Sequence, residues 1–192
     1  LSEKFLFSFG AFDLPEGNAL NILSARGAEA NAYTGGDMTA YYFECDEGFG
    51  ENLELLIKFV TTPYFTEESV AKEQGIIGQE IRMTEDDPSF VLYTATMGAL
   101  FDHHPVRESV AGTVESIASI TPQTLYDCHR AFYVPANMAL CVVGDVDPEY
   151  VAETAARLTA PERLSAAAPD YGEREGLEPI TRRAERGMDV SD

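Results

Sequence analysis

Basic residues are scarce in this chain of 192 residues. Thirteen lysines and arginines stand against 33 aspartates and glutamates, a net charge of −20. So acidic a chain repels phosphate backbones and anionic headgroups, which argues against nucleic acid and against anionic membranes as partners. It favours solubility and basic or peptide-like partners, and it equally suits a salt-adapted or generally acidic proteome. Tryptophan is absent, and there are only three histidines and three cysteines. Cys45, Cys128 and Cys141 lie far apart with no CxxC pair. They are expected as reduced, mostly buried thiols, with Cys45 and Cys141 inside strands, in a cytoplasmic-type protein. No run of 18 apolar residues exists, so no transmembrane helix is expected. The apolar opening LSEKFLFSFGAF lacks a basic region and a small-residue cleavage site, which makes it a poor signal peptide. No internal repeat is visible.

What is present is a normal globular composition, 45% hydrophobic, enough for one sizeable domain or a domain plus a tail. Residues 1 to 12 are aromatic-rich and read as either a buried strand or a short buried helix; periodicity does not separate the two. Glu16 to Arg26 reads as a helix stopped by Gly27. Asn31 to Thr34, Gly35-Gly36-Asp37 and Met38 to Cys45 form a hairpin pattern. Glu47 to Val60 is an amphipathic helix with Phe49, Leu53, Leu56, Ile57 and Val60 on one side. Pro88 to Phe101 is another helix, and Asp102 to Gly112 is a loop holding His103 and His104. Thr113 to Ser119 is a short helix or turn. Thr121-Pro122 starts a helix running to about Tyr133, with His129 expected half-buried. Met138 to Val143 (MALCVV) reads as a buried strand, and Asp147-Pro148 starts a last helix ending near Leu158. Residues 160 to 180 read as a linker, and Gly187 to Val190 as an isolated strand start. The mixture lacks a βαβ rhythm and predicts an α+β fold, an antiparallel sheet with helices packed on one face. The domain organisation expected is 1–159 as one α+β domain and 160–192 as a linker leading toward a second half.

The chain is organised around TEESVAKEQGIIGQEIRMTEDDP, Thr66 to Pro88. Thr66 is an N-cap, Glu67 and Glu68 fill the first turn, and Pro88 marks the far boundary. Val70, Ile77 and Ile81 fall on one side of an apolar arc, and Ile76 and Met83 on the other. Glu73 and Glu80 lie between them, nearly in line. A carboxylate facing a core needs an arginine, a protonated neighbour or a metal, since an unpaired buried charge is very costly; the alternatives are a structural ion pair or a side chain that reaches the rim.

Four segments, LPEGNALNILSARGAEANAYTGGDMTAYYFEC (14–45), PYFTEESVAKEQGIIGQEIRMTEDDP (63–88), HHPVRESVAGTVESIASIT (103–121) and FYVPANMALCVVGDVDPE (132–149), occur in an order that resembles the pitrilysin/insulinase family of zinc metallopeptidases, with its mitochondrial processing peptidase and YmfH-like bacterial members. The resemblance spans about residues 12–159. It implies the half-domain fold of that family, a zinc cofactor, and peptide hydrolysis. Family members carry H-x-x-E-H, whose histidines bind zinc and whose glutamate is the general base, with a downstream glutamate completing the ligand set. Glu80 resembles that third ligand, and Glu73 the acidic residue that supports it. Asn31, Ala32, Tyr33 and Thr34 resemble the edge strand that pairs with extended substrates.

The chain departs from the family where the motif belongs. The aligned residues are Phe5, Leu6, Phe7, Ser8 and Phe9, so phenylalanine replaces both histidines and Ser8 occupies the general-base position. Phenylalanine has no lone pair for zinc. The expectation is a family member with no zinc bound and no hydrolysis, truncated at its N-terminus and lacking the second half. The alternative is a non-catalytic peptide-binding module or a partner of a homologous active peptidase. His103 and His104 are adjacent, not i and i+4, and are expected as loop histidines and not as a surrogate site.

Overall fold

The computed structural model describes residues 13–14, 17–35 and 38–159. The aromatic opening, the Phe5–Phe9 window, the linker and the Gly187–Val190 strand start all lie outside the described residues. The chain forms two compact units. One comprises the described stretches up to Glu73 and from Ile120 onward, and the other is Gln74–Ser119.

In the first unit, a short antiparallel pair, β1 (Asp13–Leu14) and β2 (Gly17–Asn18), leads into helix α1 (Ala19–Ala25). The helix starts later than Glu16 because Asn18 is the cap: its Oδ1 accepts the Asn21 N–H at 3.2 Å. It stops at Gly27, as the sequence predicts. Gly27 takes φ 77°, and the Gly27 and Ala28 N–H groups bond back to the Ser24 and Leu23 carbonyls, both at 3.0 Å. This pattern satisfies carbonyls that a plain helix end leaves open.

The hairpin pairs β3 (Glu29–Thr34) with β4 (Thr39–Glu44) in antiparallel register, from Glu29↔Glu44 to Thr34↔Thr39. Alternation assigns Ala30, Ala32, Tyr41 and Phe43 to one face and Glu29, Asn31, Tyr33, Tyr42 and Glu44 to the other. The first face meets α1 and α2 (Phe49–Thr61). The core there is Leu14, Ala19, Leu23, Ala28, Leu55 and Phe59, with Ala30, Tyr41 and Phe43 packed against it. Helix α2 buries more of its circumference than one stripe predicts: Asn52, Leu53, Leu55, Ile57 and Phe59 are all buried, because α1 and the last helix both pack on it.

Helix α3 spans Glu67–Glu85. Thr66 caps it, accepting the Ser69 N–H at 3.1 Å while Ser69 Oγ accepts the Thr66 N–H at 3.0 Å. Helix α4 (Pro88–Leu100) follows, capped by Asp87, with Pro88 in its first turn. A 3₁₀ turn (Pro105–Arg107) and α5 (Val114–Ala118) complete the second unit. Glu115, in the first turn of α5, has its carboxyl pulled below the usual range by a hydrogen bond from its own backbone N–H and by the Thr113 hydroxyl. Helix α6 (Pro122–Phe132) and helix α7 (Pro148–Leu158) return to the first unit. Arg157 on α7 pairs with Glu54 on α2 at 2.5 Å.

The MALCVV strand is not formed among the described residues. Residues 138–143 join no ladder, and Met138, Leu140, Cys141 and Val143 are exposed. Strand preference measures how well a side chain fits a half-buried pleated surface, and among the described residues no such surface covers this segment. Cys141 is therefore an exposed thiol, and Cys45 follows the last residue of β4; neither these nor Cys128 forms a disulfide among the described residues. The α+β class with a small antiparallel sheet and helices packed on it stands as expected.

Candidate functional site

Among the described residues, β3 of the hairpin pairs on one side only, with β4. Gly35 N–H donates to the Met38 carbonyl at 2.7 Å. Hydrogen-bonded pairs alternate along an antiparallel ladder, so Tyr33, Asn31 and Glu29 turn their backbone groups toward β4. Ala30, Ala32 and Thr34 turn theirs away from it. Among the described residues no strand takes that outward edge. One outward donor is occupied locally: Asn31 Oδ1 accepts the Ala32 N–H at 2.8 Å. Edge strands are commonly blunted by such devices. Asn31 and Tyr33 are exposed, Thr34 is half-buried and Ala32 is buried, so the four residues present one edge with two distinct faces.

The two carboxylates on α3 do not point toward the core as the arc predicts. Glu80 is exposed and Glu73 is half-buried. The buried face is narrow, made by Val70, Ile77 and Ile81, whereas Ile76 and Met83 are 49% and 74% exposed. At about 100° per residue, Glu73 and Glu80 sit about 60° and 80° from the centre of that face. The arc fails because it counted Ile76 and Met83 as buried.

Two of the three histidines have hydrogen-bond roles within the described residues. His104 Nδ1 accepts the Val106 N–H at 3.1 Å, a cap on the 3₁₀ turn. His103 is exposed. His129 is buried, more than the half-burial its helix position predicts. Its Nε2 donates to the Val60 carbonyl at 2.9 Å, and its ring stacks on Tyr133 at 4.7 Å. Tyr133 in turn shares a 2.7 Å hydrogen bond with the Tyr41 hydroxyl on β4. This polar chain ties α6 to α2 and to the hairpin. Its only trace in the sequence is the i, i+4 step from Leu125 to His129 to Tyr133.

A zinc ion does not fit the donors described. No group of three or more His, Cys, Asp or Glu side chains among the described residues has the arrangement to hold a metal. Positions 5 and 9, which the resemblance aligns with the two histidines, are phenylalanines. No helix of the described residues is long and apolar enough to cross a membrane.

Residues 1–114 match the model for insulinase, peptidase family M16, and residues 119–179 match that for the peptidase M16 inactive domain. Zinc protease YmfH of Bacillus subtilis is 49% identical over 140 residues, covering 73% of this chain and 33% of that protein. A zinc protease of Mycobacterium leprae is 33% identical over 65% of this chain and 28% of its own length. The chain thus spans about a third of the curated relatives it matches. Among solved structures, an M16-like peptidase from Alicyclobacillus acidocaldarius superposes with a TM-score of 0.76 at 36% identity, over 91% of this chain and 40% of that one. A Helicobacter pylori protease, at 21% identity and a TM-score of 0.75 over 92% of this chain and 42% of that one, shares the fold. With the insulinase model matching more than half its residues and a relative 49% identical over 73% of its length, this chain belongs to the insulinase (M16) family of peptidases.

Proposed function

We propose that this chain is a non-catalytic peptide-binding module of the M16 family, which takes an extended peptide along the outward edge of β3. The observation that carries the proposal is the β3 edge. Ala30, Ala32 and Thr34 aim their backbone groups away from β4, and strand addition uses backbone groups alone, so it does not depend on a metal. Asn31 Oδ1 holds the Ala32 N–H until a peptide carbonyl replaces it, and the released amide then bonds to the peptide backbone. Tyr33 and Thr34 border the same edge on opposite faces. Hydrolysis is absent from this reading because Phe5, Ser8 and Phe9 supply neither zinc donors nor a carboxylate base. Glu80 and Glu73 are, on the resemblance, the surviving ligand and its supporting acid. The widely spaced cysteines fit a reducing, cytoplasmic compartment.

A second reading, a partner of a homologous active peptidase, is supported by the match to the inactive-domain model over residues 119–179. In that case the edge serves a subunit and not a free peptide.

The test combines three measurements on the purified chain: metal content, cleavage of a fluorogenic peptide library, and binding of extended peptides. The proposal expects no stoichiometric zinc, no chelator-sensitive cleavage, and binding that is lost when alternate peptide nitrogens are methylated. Stoichiometric zinc with chelator-sensitive cleavage overturns it.

A further inference from the structure

The β3 edge has a neighbour that the strand-pairing argument leaves unused, the outer face of the hairpin. Three cross-strand pairs lie on it. Tyr33 pairs with Ala40, Asn31 with Tyr42, and Glu29 with Glu44. Tyr33 and Tyr42 are 52% and 42% exposed, and their rings stand edge to face with centroids 6.5 Å apart. Glu29 and Glu44 are both exposed and directly opposite each other. Like charges in that position repel and weaken the ladder. Neither glutamate has an ion-pair partner among the described residues. The face therefore carries two opposed carboxylates at one end and two diagonally placed aromatic rings in the adjoining pairs, with Asn31 opposite Tyr42.

A strand added to β3 would lie about 4.8 Å from it, with every second side chain on this outer face. Cationic side chains at those alternate positions meet what the face lacks. An arginine or lysine over a tyrosine ring gains a cation–π contact. A second one, near Glu29 and Glu44, adds two attractive interactions that offset their mutual repulsion. Long side chains can cross β3 to reach Tyr42 and Glu44 on β4, since neighbouring strands are separated by the same short spacing. The net charge of −20 draws such peptides toward the chain from a distance, but only the local pattern selects their spacing.

We infer that the hairpin's outer face, Glu29, Tyr33, Tyr42 and Glu44, selects peptides with arginine or lysine at alternate positions. This rests on the proposed pairing at the β3 edge, and the test separates the two. The probe is a short capped peptide alternating valine with arginine, compared with its valine–glutamine counterpart, each with and without backbone N-methylation. Binding to the full chain is read by fluorescence anisotropy. The arginine peptide is expected to bind about tenfold more tightly than the glutamine peptide, and the preference is expected to shrink to about twofold in E29Q/E44Q. The control variant E67Q/E68Q, which removes the same charge from the first turn of α3, retains the full preference. The inference is overturned if the two peptides bind wild type alike, if E29Q/E44Q leaves the preference unchanged, or if E67Q/E68Q reduces it equally. When both peptides bind alike and both are sensitive to N-methylation, the edge reading stands and the face inference alone has failed. Insensitivity of both peptides to N-methylation defeats the edge reading itself, and with it this inference.

Discussion

Asn52 occupies a position where an aliphatic side chain would be expected. It lies within α2, fully buried, and among the described residues neither its Oδ1 nor its Nδ2 has a hydrogen-bond partner. A buried amide without partners keeps its desolvation cost and gains nothing in return, roughly 1–3 kcal/mol. Leucine has nearly the same shape and no polar atoms. Asn52→Leu is therefore expected to stabilise the chain by about 1 kcal/mol, seen as a higher urea midpoint at unchanged slope; a lower midpoint would show that the amide is satisfied in solution. Residue-scale features such as this were the least legible in advance. Asn52 reads as an ordinary polar position on an amphipathic helix, because burial on a second side of α2 depends on what packs there. His129 likewise reads as half-buried, and only the placement of the Val60 carbonyl and the Tyr133 ring makes it a buried hydrogen-bond donor.

At the scale of elements, several helix caps were legible, the start of α1 was not, and helix faces were not. Thr66, Thr121, Asp147 and Gly27 act at their own helix termini through bonds spanning a few residues, so local sequence decides them. The face of α3 depends on neighbours, and Ile76 and Met83 turned out to be exposed where the pattern predicts burial. Packing between α2 and α7 provides a direct test. A Cβ added at Gly50 would come within 2.5 Å of the Tyr150 hydroxyl. Alanine is the better helix former by up to about 1 kcal/mol, so the two effects oppose each other. Gly50→Ala is expected to destabilise the wild-type chain, and to stabilise the chain when Tyr150→Ala has cleared the space. A double-mutant cycle by thermal unfolding measures this; additive effects would mean that Tyr150 swings away freely.

For the whole molecule, the restored motif is the decisive variant. Phe5→His, Ser8→Glu and Phe9→His together rebuild H-x-x-E-H in the aligned window. The triple variant is expected to take up one zinc per chain, and adding Glu80→Gln should lower its zinc affinity at least about tenfold, as loss of a ligand-sphere group does. Zinc uptake by the triple variant that is indifferent to Glu80 would refute the ligand role of that residue. The family, the α+β class, the hairpin and the lack of an H-x-x-E-H run in these 192 residues were all readable from the residues alone. Each depends on residue type and on order along the chain, which folding does not alter. Tertiary structure alone decided which faces are dry. It left Glu80 on an exposed face, buried His129, and left MALCVV without a ladder partner among the described residues. It also set Glu29 opposite Glu44 beside two exposed tyrosines. Burial and register arise from segments far apart in the chain, and no local pattern carries that information.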